Sequence, residues 1–187
     1  LAAAGDDGDT EFTRLGVALG KFWVCKRTPI MLAEALECLG GNGYVEENGL
    51  ARLYRDAPLN SIWEGSGNVN ALDVVRALTR EPASVAAVGK ELALARGHST
   101  TLDEAIDEVD HLVAQAHTPD APFIARRLVE RLALTLQGAL LVQHSPSEVA
   151  DAFVASRLAG DHGGSFGTLG AGSTAYAAKI LDRAFPA

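Results

Sequence analysis

From Phe12 to Lys26 the apolar residues Phe12, Leu15, Val17, Ala18, Leu19, Phe22 and Trp23 recur at helical spacing, with two extra positions that widen the stripe. That spacing predicts a buried helix. Thr28-Pro29 reads as the start of a second one, because threonine caps free N–H groups and proline is tolerated in a first turn. Leu32, Ala35, Leu36 and Leu39 give this helix a face, and Gly40-Gly41 ends it. A short helix over 49–56 directs Leu50, Leu53 and Tyr54 inward and stops at Pro58. Val69, Leu72, Val75 and Leu78 mark the next, and Glu81-Pro82 opens another that runs to about Arg96 and stops at Gly97. Thr101 with Glu104 fits a capping box before Leu102, Ile106, Val109 and Val113. Thr118-Pro119 precedes a long apolar pattern from Phe123 to about Gln143, Ser145-Pro146-Ser147-Glu148 opens a further helix, and the last spans 175–185. No alternating strand pattern occurs. The expected class is all-α, an antiparallel helical bundle core over 1–80 with appended C-terminal helices over 81–187.

Composition narrows the function classes. With 187 residues, 48% of them hydrophobic, the chain can bury one sizeable core. The net charge is −8, and acids outnumber bases on both sides of Arg80, so neither half is a basic nucleic-acid module. No apolar run approaches the roughly 18 to 20 residues that cross a bilayer. The opening LAAAGDDGDT has no initiator methionine, basic region or apolar signal core, and reads as the cut end of a fragment. The expectation is a soluble, cytoplasmic protein without a membrane partner.

Cys25 and Cys38 form no paired motif and are expected as free thiols. The histidines His98, His111, His117, His144 and His162 show no shared ligand spacing, so metal binding is not indicated. Asp103, Glu104, Asp107, Glu108 and Asp110 read as a solvated helix face with acids favoured near its N-terminus. Gly170-Ala-Gly172-Ser-Thr-Ala175 has the outline of a dinucleotide fingerprint, but no strand precedes it and no βαβ unit fits before Ala187.

The chemistry concentrates in residues 39–76, LGGNGYVEENGLARLYRDAPLNSIWEGSGNVNALDVVR. Gly40, Gly41 and Gly43 crowd together after a helical run, as a stop signal and a surface that backbone groups can approach closely. Trp63-Glu64-Gly65-Ser66-Gly67-Asn68 sets one carboxylate between an indole and a flexible segment, just before the helix that opens near Val69. A carboxylate so placed is a candidate base, although a charge near a helix N-terminus also has a purely structural reading. Arg52, Arg55 and Asp56 read as a salt-bridged short helix that fixes this loop.

The order GGNGY, LYRD and WEGSGN followed by an apolar helix resembles the C-terminal helical domain of acyl-CoA dehydrogenases. The wording is closest to the AidB-like branch associated with the adaptive response to DNA alkylation. The strong likeness covers 12–79. The resemblance implies an FAD-dependent dehydrogenation of an acyl-CoA thioester, with Glu64 as base and its backbone N–H on the thioester carbonyl oxygen. It also implies Trp63 and Gly65 at the substrate, and Ser66 and Asn68 at the flavin. Gly40, Gly41 and Gly43 would approach the flavin of a neighbouring subunit in a homotetramer. The alternative implied by the branch is a DNA-binding C-terminal region. Here the bases after Arg80 are diluted by acids, and only Arg126, Arg127 and Arg131 cluster, so DNA binding is expected to be weak. A purely structural oligomerisation domain would leave the WEGSGN loop unexplained.

Overall fold

A computed structural model describes residues 10–185; the opening segment read as a cut end lies outside them, apart from Thr10. Its element order is α1 (Thr10–Cys38), α2 (Gly41–Tyr44), α3 (Leu50–Asp56), α4 (Gly67–Arg80), α5 (Pro82–Leu94), α6 (Thr100–Gln115), α7 (Ala121–His144), α8 (Ser147–Phe153) and α9 (Thr174–Ala184). Short 3-10 turns occupy Glu46–Asn48, Ala57–Ser61 and Ala171–Ser173, and a π-turn spans Val154–Leu158. The class is all-α; among the described residues the one β-type pairing is an isolated bridge between His162 and Leu169.

Two compact units are formed, one from the chain up to Ala87 with Gln115–Glu130, the other from Val88–Ala114 with the chain from Arg131 onward. In the first, α1 packs against α4, α2, α3 and the Ala57–Ser61 turn. Its core contains Leu15, Leu19 and Phe22 from α1 and Ala71, Val74, Ala77 and Leu78 from α4. Each fully buried leucine contributes about 1.5–3 kcal/mol of transfer free energy.

Several boundaries differ from the sequence expectation. Thr28-Pro29 starts no new helix: α1 is continuous for 29 residues with Pro29 inside it. An interior proline costs about 3 kcal/mol through a lost backbone bond and a ring clash. Packing of α1 against α4, α2, α3 and the Ala57–Ser61 turn outweighs that local penalty, and the Thr28 hydroxyl donates to Val24 O at 2.7 Å rather than capping a new start. Pro58 does not end the helical path either, because the chain tightens into the 3-10 turn in which proline occupies an early position.

The inward faces are also rotated. Leu53, Tyr54, Val69 and Leu72 are exposed, while Ala51, Ala57, Ala71 and Ala77 are buried. Small residues at the crossings let helix backbones approach one another, and the larger side chains point outward. Leu39 is likewise exposed.

The second unit has Leu102, Ala105, Ile106, Val109 and Leu112 of α6 and Leu132, Leu136 and Ala139 of α7 in its core. Ser99, rather than Thr101, caps α6: its hydroxyl accepts the Leu102 N–H at 3.2 Å, while Asp103 accepts the Gly97 N–H at 3.0 Å. The acidic face of α6 is ion-paired, Asp107 and Asp110 with Arg96 and Glu108 with Arg131. Helix α9 packs on α8, and Lys179 pairs with Glu148.

Candidate functional site

The loop between the 3-10 turn and α4 is built by three backbone reversals. Ile62 and Trp63 both donate their N–H to Leu59 O, at 2.9 and 3.1 Å, which closes the turn. Glu64 then adopts φ 51°, the left-handed region, and is the sole non-glycine to do so among the described residues. Gly65 follows at φ 99°, and the chain becomes extended at Ser66 before α4 begins at Gly67. A left-handed conformation costs a residue with a Cβ on the order of 1 kcal/mol or more, and such strain persists where neighbouring groups enforce it.

Two side chains do the enforcing. Lys21 on α1 donates from Nζ to Asn60 O at 2.7 Å and to Trp63 O at 3.2 Å, one carbonyl on each side of the turn. Asn70 in the first turn of α4 donates from Nδ2 to Gly65 O at 2.7 Å and to Ser66 O at 3.1 Å. The carbonyls of Trp63, Gly65 and Ser66 are therefore held from both ends of the loop. No hydrogen bond from the Glu64 or Gly65 N–H is formed among the described residues.

Glu64 is exposed and lines an open depression of about 270 Å³ together with Arg14, Lys21, Asn70 and Asp73. Arg14 hydrogen-bonds Asp73 at 3.1 Å and Glu81 at 3.1 Å, and Arg76 also pairs with Asp73. The hydrogen bond to Asp73 raises the Arg14 guanidinium above its ordinary range despite partial burial. Burial pushes the Asp73 carboxyl up, but the Arg14 hydrogen bond and the charges of Arg14 and Arg76 outweigh it and hold the group below its usual range. The wall beside Glu64 is thus a fixed ion cluster. Trp63 is half exposed.

The glycine-rich segment has a separate geometry. Gly40 at φ 58° terminates α1. Gly43 is buried against α1, where an added Cβ would sit 2.9 Å from both C and Cα of Leu36 and closer still to its carbonyl oxygen. Gly41 is exposed and faces open space. Gly40 and Gly43 therefore have reasons internal to the fold, whereas Gly41 does not. None of these three glycines lines the depression that holds Glu64.

Ser66 sits at the N-cap position of α4 but makes no side-chain capping bond, and Asn68 is exposed. The first turn of α4 carries no acidic residue. Instead, the space beside Gly67 is occupied by Lys26, whose Nζ lies 3.0 Å from where a Cβ would stand, with Arg126 Nη2 at 3.6 Å. Free helix N–H groups, two cations, a hydroxyl and an amide make a donor set suited to a phosphate-bearing cofactor. No group of three or more His, Cys, Asp or Glu side chains among the described residues could hold a metal ion.

Sequence reasoning missed Lys21, Asn70 and Arg14. The signal for Lys21 and Arg14 was present: each is a cation set among the apolar positions of α1, where a charge requires a partner. Arg55 has its closest ion-pair partner in Glu46, at 2.6 Å, as well as the expected short-helix pairing of Arg52 with Asp56.

Residues 1–79 match the family model described as the C-terminal domain of acyl-CoA dehydrogenases. The chain is 36% identical to AidB of Escherichia coli, an acyl-CoA dehydrogenase by name, over 79% of this chain and 27% of that protein. It is 33% identical to acyl-CoA dehydrogenase family member 11 of Caenorhabditis elegans, over 81% of this chain and 28% of the relative. The chain thus spans little more than a quarter of the length of these curated relatives. The crystal structure of Caenorhabditis elegans ACDH-11 in complex with C11-CoA superposes with a TM-score of 0.65 at 25% identity, covering 100% of this chain and 36% of that one.

Proposed function

Given that the chain belongs to the acyl-CoA dehydrogenase family, whose C-terminal domain residues 1–79 match, we propose that it is part of an FAD-dependent flavoprotein that dehydrogenates an acyl-CoA thioester at its α,β positions. Glu64 is the base. The observation that carries this reading is the left-handed backbone of Glu64, held by Lys21 and Asn70 at a depression open to a ligand. Backbone strain at a carboxylate-bearing residue persists only where neighbouring groups enforce it, and such enforced strain clusters at functional sites.

In the proposed reaction the Glu64 carboxylate takes the α-proton, and the Glu64 N–H donates to the thioester oxygen as enolate-like charge develops there. FAD, when bound, accepts the β-hydride. Ser66, Asn68 and the first turn of α4 hold the cofactor, with Lys26 and Arg126 supplying positive charge beside Gly67. Trp63 and Gly65 border the substrate, and the C11-CoA in the Caenorhabditis elegans complex supports an acyl-CoA as substrate class. Gly40 and Gly41 reach the flavin of a neighbouring subunit in a homotetramer, with Gly43 seating the segment on α1; open space at Gly41 accommodates that contact. Residues 1–80 carry the proposed catalytic residues, and 81–187 are an extension of which Gln115–Glu130 joins the first unit. The protein works in the cytoplasm, and among the described residues no helix is long and apolar enough to cross a membrane.

The test is Glu64→Gln in the full-length flavin-loaded protein. The variant keeps the side-chain shape and removes the basicity. It should retain flavin absorbance while the rate of flavin reduction by acyl-CoA falls by about two to four orders of magnitude. Wild-type reduction kinetics would show that the base is another group.

A further inference from the structure

We infer that Lys21 is a positioning residue for the proposed dehydrogenation: its ammonium holds the carbonyl of the peptide group whose N–H is the thioester-oxygen donor. The inference rests on the assignment of Glu64 and its N–H to the reacting thioester, and goes beyond it by naming what sets that donor's direction and strength.

The peptide between Trp63 and Glu64 has two polar ends, Trp63 O and the Glu64 N–H, which point oppositely in a trans peptide unit. Lys21 Nζ lies 3.2 Å from Trp63 O. The same ammonium lies 2.7 Å from Asn60 O, so its position is fixed by a second, shorter bond. With the carbonyl end bound, rotation of the peptide plane is restrained, and the Glu64 N–H has no partner of its own among the described residues. A cation on the carbonyl also polarises the peptide group, so the N–H becomes a stronger donor.

The local charges agree with this role. Lys21 is half-buried, and its ammonium makes no ion pair among the described residues. Asp73 and Glu81, nearby carboxylates, are engaged by Arg14. The positive charge of Lys21 is therefore spent on backbone carbonyls rather than on a carboxylate, an arrangement in which an uncharged residue could serve if only packing were required. Asn70 performs the matching task on the other side, through Gly65 O and Ser66 O, but as a neutral donor.

The experiment uses the full-length flavin-loaded protein and decanoyl-CoA isotopically labelled at the thioester carbonyl. Lys21→Met, which keeps length and removes the charge, should lower the rate of flavin reduction about tenfold or more while the affinity for a CoA thioether lacking the carbonyl is unchanged. The infrared band of the bound carbonyl should lie closer to its position in free decanoyl-CoA than it does in the wild type. Lys21→Arg, which restores a cation on the same stem, should recover most of the band shift and the rate. Should Lys21→Met lose flavin, Lys21→Gln is read by the same band. A wild-type carbonyl band and reduction rate in an uncharged variant that retains flavin would overturn the inference. Glu64→Gln is measured in parallel: normal reduction in that variant sinks the base assignment, whereas an inactive Glu64→Gln beside a fully active Lys21→Met sinks the role of Lys21 alone.

Discussion

Gly43→Ala adds one methyl group at the closest backbone approach in the glycine-rich segment. The new Cβ would stand 2.9 Å from C and Cα of Leu36 and nearer to its carbonyl oxygen, where ordinary contacts need 3.4 Å or more. These are main-chain atoms of α1, so relief requires the segment after α1 to lift away from the helix rather than a side chain to turn. Overpacking of this kind costs about 1–3 kcal/mol, and the backbone identity of the obstacle argues for the upper half. At roughly 2–4 °C per kcal/mol for a chain of this size, thermal unfolding of the 187-residue chain should shift down by about 4–12 °C. Gly41→Ala is the control. It faces open space with no left-handed backbone, so restricting the unfolded chain should leave stability equal or up to about 1 kcal/mol higher. Circular dichroism melts of both variants decide the matter. A Gly43→Ala midpoint within about 1 °C of wild type would refute the claim that close packing, rather than turn geometry, dictates glycine there. If Gly41→Ala melts normally yet weakens flavin retention in the full-length protein, the residue's reason lies outside this fold.

Three further outcomes are expected. Asp73→Asn removes the carboxylate that Arg14 and Arg76 hold below its usual range, and the half-buried cluster should lose about 1–2 kcal/mol at neutral pH. Because the folded-state value is depressed, that stabilisation is full above the ordinary carboxylate range near pH 4 and fades as pH falls through the folded value; urea midpoints of wild type and variant should converge at acid pH, and a constant gap down to about pH 2 would contradict the assignment. Ser99→Ala deletes the α6 cap and should cost about 1 kcal/mol, while Thr101→Ala, at the position first expected to cap, should change the melt by less than about half of that. In fluorescence anisotropy with a labelled duplex, binding should be weak and fade near physiological salt, with a log–log slope no steeper than about −2, because Arg131 of the basic cluster is engaged by Glu108 at 2.7 Å. Sub-micromolar binding at about 150 mM salt would favour the DNA-binding alternative.

Punctuation was the legible part of the sequence. Gly40 and Gly97 take positive φ, and Pro82 and Ser147 open helices, because those residue types act through local backbone preferences that no distant contact needs to supply. The facing of the helices was less legible. Large apolar side chains were assigned inward, yet Leu53, Tyr54, Val69 and Leu72 lie outward and alanines fill the contacts, a choice set by how closely two helices cross and invisible to periodicity alone. Pro29 misled in the opposite direction, since tertiary packing overrode a strong local signal. At the candidate site, Glu64 and its glycines could be picked out from their neighbours in the chain, but Lys21 is 42 residues from Trp63 and enters only when α1 folds beside the loop. The π-turn over Val154–Leu158 had no sequence signature that separated it from the end of α8.

The composition of the first unit bears on how such a chain emerges from a ribosome. Its parts are the chain up to Ala87 and Gln115–Glu130, so the segment matching the family model does not by itself contain every residue of the unit it belongs to. Ala121, Ala125, Leu128 and Val129 are buried members of that unit, yet they are synthesised only after Val88–Ala114 has passed. At about 5–20 residues per second, the loop-bearing helices α1 and α4 wait on the order of several seconds for those partners. During that interval the unit lacks the buried side chains of Ala121, Ala125, Leu128 and Val129. A stop codon placed just after Arg80 should therefore yield a polypeptide that is captured by chaperones and degraded, whereas one placed after His144 supplies the missing complement.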